Sequence, residues 1–424
     1  MGGVVAAGHG LTAEAAEIIL REGGNAFDAT VAAHFAACAA EPVLASLGGG
    51  GFLLAKPAGS RPIVFDFFVQ TPRSKREAQA RDLRSVSVDF GAACQTFHIG
   101  YGTIATPGSV KGMFEIHRRL CSMPMRELCA PAIQFAREGV RMNALVAYIA
   151  GVVHPIYCAN DATRARFGGS GPEGRLTEGD VIRQSEMADA LESLAIEGED
   201  LFYRGEIAHI IARECEQHGG LLTREDLECY QVYLREPLIN DYQSVQVTTN
   251  PPPSSGGILI AFALKLLEAA EIESYPFGSV EHVCTLAEVL NLTQKARVDT
   301  LLASGYLDSQ WLLDANYLAR YRQEISGRAS ALRGTTHMSA IDSEGNVASL
   351  SISNGEGCGE IVPGVGIMLN NMLGEDDLSP HGLEGWQTDQ RMSSMMSPSL
   401  MRWPNGKLVA TGTGGSNRIR TAVL

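Results

Sequence analysis

Gly334-Thr335-Thr336-His337-Met338-Ser339, continuing through Ala340 to Ser353, is the stretch on which the reading of this chain turns. A threonine becomes both nucleophile and base when the peptide bond before it is cut, because its hydroxyl and its freed α-amine then share one residue. An α-amine titrates at about 7.7 to 8.0, which suits a general base near neutral pH. Gly334-Thr335 is the expected cut: a charged segment, Arg320 to Arg333, precedes it, and a strand-like, turn-rich sequence follows. Thr-Thr-His is equally an ordinary start to a β-strand, where β-branched residues are favoured. The decision therefore falls to the rest of the chain.

With 424 residues the chain is long enough for one large domain or two. Its 34 Lys+Arg against 48 Asp+Glu give a formal net charge of −14, which disfavours nonspecific binding to nucleic acid or anionic membranes. The nine cysteines are scattered without a Cys-x-x-Cys pair, so they read as buried thiols rather than a disulfide scaffold or a zinc site. No metal or cofactor is expected. Met1-Gly2-Gly3 opens no signal peptide, and the weakly polar run Ala29 to Leu54 is broken by His34, Glu41 and Pro42, so it is not a membrane span. The expected location is cytoplasmic, or periplasmic or secreted if an upstream export segment has been removed.

Working outward from Thr335, the first half is helical with flanking strands. Leu11 to Arg21 has helical spacing behind Thr12 as a candidate N-cap, and Asn25 with Asp28 opens a second helix made almost wholly of small residues. Gly48 to Gly51 leads into strands at Phe52 to Ala55 and Pro62 to Phe67. Four consecutive glycines suit backbone that takes unusual dihedrals or approaches something closely. Val110 to Leu120 and Met125 to Gly139 read as helices, and Thr223 with Asp226 as a capping box. Tyr230 to Asn250 alternates like strands, and Pro251 to Gly257 releases the chain into a helix from Ile258 to Ala270, a geometry suited to a cleft wall. Ser279 to Thr300 is a further helix.

The last ninety residues concentrate hydroxyls and glycines. Ser351 and Ser353 alternate with Leu350 and Ile352, so both serines share one face of a strand, with Asn354 at its end. Ser353 is placed to orient the Thr335 hydroxyl if the two lie on adjacent strands. Gly364 to Leu369 reads as an apolar strand ending in Asn370-Asn371 and a turn rich in carboxylates, Glu375-Asp376-Asp377, suited to a substrate ammonium. Ser393 and Ser394 offer paired hydroxyls. Gly414 and Gly415, beyond the strand Lys407 to Thr411, offer consecutive backbone N–H groups of the kind an oxyanion hole needs. His337 lies two residues from Thr335 on the same strand face, as a base or a structural group.

Taken in order, these motifs resemble the γ-glutamyltranspeptidase family over essentially the whole chain. They are Gly23-Gly24-Asn25-Ala26-Phe27-Asp28-Ala29, Leu47 to Phe52, Pro131-Ala132-Ile133, Pro251 to Gly257, Thr335 to Ser339, Asn370-Asn371, Ser393-Ser394 and Gly414-Gly415. The resemblance implies an α+β N-terminal-nucleophile hydrolase fold, a four-layer αββα sandwich. It implies a precursor that cuts itself between Gly334 and Thr335 into a large-subunit region, 1–334, and a small-subunit region, 335–424, which associate as a heterodimer. Family members usually continue past the glycine pair, so the second region is expected to be C-terminally truncated. The implied activity is hydrolysis or transfer of γ-glutamyl groups from glutathione-like amides through an acyl-enzyme. By the same resemblance Thr335 is the nucleophile and Ser353 its supporting hydroxyl. Asn354 and Asp377 hold the substrate α-amino group, Ser393 and Ser394 its α-carboxylate, and the N–H groups of Gly414 and Gly415 the oxyanion.

One departure concerns the acyl group. The family has Asp-x-Arg-Glu ahead of an Ala-Pro, whereas this chain has Asp66-Phe67-Phe68-Val69-Gln70-Thr71-Pro72, with Phe68 in place of the arginine. A phenyl ring cannot form the oriented fork that arginine makes with a carboxylate. Arg73, Lys75 and Arg76 are the nearby cations available to replace it. Two alternatives follow: an amidohydrolase with the same nucleophile but another acyl group, such as glutaryl, and an uncut or truncated pseudoenzyme with a binding role.

Overall fold

The computed structural model describes residues 2–89, 94–270, 272–304, 312–314, 317–318, 321, 335–375, 378, 382–415 and 419–424. The chain enters through strand β1 (Gly3–Ala7), helix α1 (Gly10–Arg21) and helix α2 (Ala26–Ala40). Strands β2 (Gly50–Lys56) and β3 (Ile63–Phe67) follow, then the hairpin β4 (Arg84–Asp89) and β5 (Cys94–Ile99). Helices α3 (Ser109–Leu120) and α4 (Met125–Glu138) precede β6 (Val140–Arg141), which pairs antiparallel with β7 (Val181–Ile182) across an intervening helical segment. The remaining strands are β8 (Tyr233–Arg235), β9 (Leu238–Tyr242), β10 (Val245–Thr249), β11 (Thr336–Asp342), β12 (Val347–Ser353), β13 (Ser399–Arg402) and β14 (Leu408–Thr411).

Two sheets carry the site. The larger runs β1-β11-β12-β2-β3-β8 and the smaller β14-β13-β10-β9, with every pairing antiparallel. Strand alternation divides the core. Leu53, Phe65, Phe67, Met338, Leu350 and Ile352 turn outward to a cluster shared with α1 to α4. Phe52, Leu54, Val64 and Phe68 turn inward to a second cluster with Leu400, Met395 and the helix Gly256–Ala269. Helix, sheet, sheet and helix are thus stacked, as the α+β sandwich requires. Among the described residues no helix is long and apolar enough to cross a membrane.

Local signals explain several boundaries. Asn25 accepts from the backbone N–H groups of Phe27 and Asp28 while Asp28 accepts from that of Asn25, a complete capping box. Thr223 and Asp226 form another. The first helix corrects its expected start: His9, not Thr12, is the N-cap, its Nδ1 accepting from Leu11 N–H at 3.1 Å. Thr12 lies inside the helix and donates to the buried carboxyl of Glu41 at 2.7 Å. The expected strand at 364–369 is also corrected. Gly364 and Gly366 take φ of +71° and +72°, which breaks the ladder, so only bridges such as Ile361 to Met368 form.

Every residue of α2 is buried, including His34, whose two ring nitrogens find no hydrogen-bond partner. Burial pushes its pKa down to about 3, against an ordinary value near 6.5. Between those values the unfolded chain binds a proton that the folded chain refuses, so stability falls as pH drops below about 6.5. At pH 5 the loss from this group is about 2 kcal/mol. Buried carboxyls with raised pKa, such as Glu41, tilt stability the opposite way. The informative quantity is therefore the difference between wild type and His34→Leu in urea unfolding at pH 7.5 and pH 5. The variant should lose about 2 kcal/mol less, and equal losses would refute the assignment.

Candidate active site

Strand register assembles the site. Thr336, Ile352, Gly51 and Phe67 lie side by side across β11, β12, β2 and β3. Moving one residue along each strand brings Thr335, Ser353, Gly50 and Phe68 into one row, with Ser353 directly paired to Gly50. Alternation turns Thr335, Ser353 and Phe68 to the inner face. Thr335 and Ser353 are buried at 8% and 6% exposure. Extended one residue beyond the paired ladder, the register puts the two hydroxyl residues expected to cooperate at the same level. Ser353 Oγ accepts from the backbone N–H of Gly355 at 3.1 Å.

The glycine run before β2 is present for close approach. A Cβ on Gly49 would stand 2.4 Å from the Ser353 carbonyl oxygen, and one on Gly51 2.3 Å from that of Ser351. Asn370 holds the same run, donating to the Gly48 and Ala105 carbonyls at 2.9 Å each. Its place in the Asn-Asn motif is thus structural, a role its sequence position did not disclose.

From the smaller sheet, the loop after β14 crosses above the row. A Cβ on Gly414 would fall 1.8 Å from the Thr335 carbonyl oxygen, and one on Gly412 2.3 Å from the His337 ring. Gly415 takes φ of +120°. Gly414 is therefore packed against the backbone of Thr335. His337 is not a candidate base. Its Nδ1 and Nε2 lie 2.8 Å from Ser351 Oγ and 2.9 Å from Ser339 Oγ, and burial lowers its pKa to about 3, so the ring stays neutral with both nitrogens engaged.

At the far end of the row, Met392 N–H donates to the Val69 carbonyl at 3.1 Å, which carries Ser393 and Ser394 to the residue after Phe68. Ser394 is moored to the start of the helix Gly256–Ala269: its carbonyl accepts from Ser254 Oγ at 2.9 Å, Ser255 N–H at 2.8 Å and Gly256 N–H at 3.2 Å. The Pro251 to Gly257 segment is thus the wall of this end. Ser393 Oγ lies 3.4 Å from Ser255 Oγ.

The ammonium candidates are less uniform. Asn354 is fully buried, and neither amide atom makes a hydrogen bond. Asp377 and Gly334 lie outside the described residues. Glu375, two positions before Asp377, is buried with its carboxylate against Gly355, where a Cβ would stand 2.4 Å from Oε1. With Glu356, it is one of two buried acidic residues at the end of β12, where the sequence pattern shows only an acidic turn.

The Phe68 end holds no replacement cation among the described residues. Phe68 is buried and stacked on Phe52 at 5.5 Å. Arg73 turns away to Asp389 at 3.0 Å and Glu225 at 3.2 Å, Lys75 to the Glu384 carbonyl and the Trp386 ring, and Arg76 to the Glu216 carbonyl. Arg391, unremarked in the sequence, is nearer but occupied. It donates to the carbonyls of Phe68 and Gln231 and to Tyr230 Oη, and it lies 3.4 Å from Asp66, which Arg235 also pairs at 2.7 Å.

Solved structures share this fold. Cephalosporin acylase from Bacillus halodurans superposes with a TM-score of 0.82 at 25% identity, over 100% of this chain and 80% of that one. The γ-glutamyltranspeptidase of Pseudomonas nitroreducens superposes with a TM-score of 0.64 at 29% identity, over 78% and 96%. Two stacked sheets of this kind make the chain an N-terminal-nucleophile hydrolase by fold. The Gamma-glutamyltranspeptidase family model matches residues 12–424. The glutathione hydrolase proenzyme of Escherichia coli K12 is 30% identical over 456 residues, covering 100% of this chain and 77% of the relative. The Acylase ACY 1 proenzyme of Pseudomonas sp. SE83 is 30% identical over 448 residues, covering 100% and 78%. The chain belongs to the γ-glutamyltranspeptidase family and is an enzyme of the hydrolase and acyltransferase kind found there.

Proposed function

We propose that the chain cuts itself before Thr335 and then cleaves γ-glutamyl amides of the glutathione type, passing the acyl group to water or to an amine. The observation that carries this reading is the row Thr335–Ser353–Gly50–Phe68 with Gly414 lying across its nucleophile end. In the cut, Thr335 Oγ adds to the Gly334 carbonyl and its N–C bond breaks, leaving an ester. Water then hydrolyses the ester, freeing the Gly334 carboxylate and the Thr335 amine. In turnover that amine takes the Thr335 hydroxyl proton as the oxygen attacks the substrate carbonyl. Ser353 orients the hydroxyl, and the N–H groups of Gly414 and Gly415 receive the developing oxyanion. The leaving amine takes the proton from the α-ammonium, and water or an acceptor amine reverses the sequence to release the acyl group.

Ser393 and Ser394 serve the α-carboxylate, and Asn354 and Asp377, together with Glu375, the α-amino group. The regions 1–334 and 335–424 are the two subunits, held as a heterodimer.

A second reading, the same chemistry on another acyl group, is favoured by Phe68, since none of the basic side chains described near it faces the row. Wild type should be assayed against γ-glutamyl and glutaryl anilides, alongside Phe68→Arg. Gamma-glutamyl turnover well above glutaryl supports the first reading, and the reverse supports the second. If an acyl carboxylate reaches position 68, a charge-assisted bond of about 1.5 to 3 kcal/mol should raise kcat/KM for these substrates roughly tenfold or more in the variant. An unchanged ratio would remove Phe68 from the acyl pocket.

A further inference from the structure

We infer that His337 is a positioning residue: its neutral ring sets the height of the Gly412 to Gly414 loop above Thr335. This rests on the reading of Thr335 as nucleophile and of that loop as its oxyanion site. Three contacts tie the loop to the inner face of the sheet. Ser349 Oγ donates to the Thr411 carbonyl at 3.1 Å, Gly412 abuts the His337 ring, and Gly414 lies on the Thr335 carbonyl. The loop therefore runs opposite to β11, touching β12 at Ser349, then β11 at His337 and the residue just before that strand, Thr335.

The ring is well suited to be a fixed support. Its nitrogens face Ser351 on β12 and Ser339 on its own strand, one donating and the other accepting, so it cannot turn without losing both bonds. Ser351 is paired in turn to Phe52 on β2, which stacks on Phe68. Side-chain packing thus runs from the far end of the row to the surface on which the loop rests. A glycine at 412 allows contact between backbone and ring; any Cβ there, at 2.3 Å from Cε1 and Nδ1, must lift the loop or displace the ring. Lifting the loop moves the Gly414 N–H away from the oxygen it is to receive, and loss of one such donor typically costs 10² to 10³ in rate.

The test is a double-mutant cycle on the full chain with Gly412→Ala, His337→Ala and the pair. Intact mass reads self-cleavage. The rate of Thr335 labelling by a small fluorophosphonate, scaled to the cleaved fraction, reads the mature site without requiring the natural acyl group. Gly412→Ala should lower kinact about tenfold or more with KI within about twofold, and in the His337→Ala background the same change should cost less than about twofold. Ser349→Ala, which loosens the loop at Thr411 while leaving the ring in place, should also lower kinact and spare KI. The pH limb of labelling should stay where it is in His337→Ala, because the base is the α-amine. An equal penalty for Gly412→Ala with and without the ring, in cleavage or in labelling, overturns the inference. So does a shifted pH limb, which would make the imidazole a base. Absence of labelling in cleaved wild type would instead refute Thr335 as nucleophile.

Discussion

Thr335→Ala should purify as one uncut chain of 424 residues without amide turnover, where wild type separates under denaturing conditions into pieces of 334 and 90 residues. The substitution removes Oγ and one methyl group from a residue whose backbone is already held by the strand behind it and by Gly414 above it. Stability should change by no more than about 1 kcal/mol. On the proposed mechanism the lost function is chemical, since Oγ would be the attacking atom in both self-cleavage and turnover. Removal of a nucleophile from a cooperating set typically lowers kcat by about 10⁶. Thr335→Ser, which keeps the hydroxyl, should recover cleavage. Intact mass spectrometry and anilide hydrolysis decide the matter, and a cut alanine variant would show that cleavage does not begin at this hydroxyl.

Arg391→Ala should have the largest effect on stability, about 2 to 3 kcal/mol. The guanidinium is buried, stacked on the rings of Tyr230 and Tyr233 at 4.8 and 4.9 Å, and it serves two backbone carbonyls and a phenol. Asp66, fully buried, keeps Arg235, and the Phe68 carbonyl keeps Tyr230 Oη at 2.7 Å, so most of the cost comes from the Gln231 carbonyl and the vacated volume. Arg391→Lys should restore little, because a point charge on a flexible stem cannot occupy the same fork of acceptors. A urea midpoint unchanged in Arg391→Ala would show that the buried cation contributes no net stability. Arg391 also stands two residues before Ser393, so activity should fall with stability.

What the sequence made legible was mostly local. Asn25 with Asp28 and Thr223 with Asp226 are caps readable within four residues, and alternation alone puts Ser351 and Ser353 on one face. Thr335 stands out because a β-branched hydroxyl residue opens a strand just after a sharp change of pattern. What escaped depends on pairings between distant residues. No spacing rule places Phe68 in the same row as Thr335, because that requires the order of four strands. Arg391 carries no sequence signal because its partners, Asp66, Phe68, Tyr230 and Gln231, are far away in sequence. His9 replaced Thr12 as a cap because Thr12 is drawn to Glu41, 29 residues on. The supposed strand at 364–369 yielded to two left-handed glycines whose φ no apolar pattern reveals.

The strand order β1-β11-β12-β2 has a consequence for the severed molecule. The 90-residue piece lies dovetailed inside the larger one, with β11 and β12 bonded on both outer sides to strands that precede the cut, and β13 bonded to β10 in the other sheet. A nick at Gly334-Thr335 therefore breaks the covalent chain without creating a thermodynamic boundary. Neither piece should have a folded state to retire to alone, since removing one would bare strand edges on both sides of the gap and strip buried side chains from both cores, Met338, Leu350 and Ile352 from one and Met395, Met396 and Leu400 from the other. The two pieces should melt together in one transition, stay together through dilution that parts ordinary heterodimers, and fail to find each other when expressed apart.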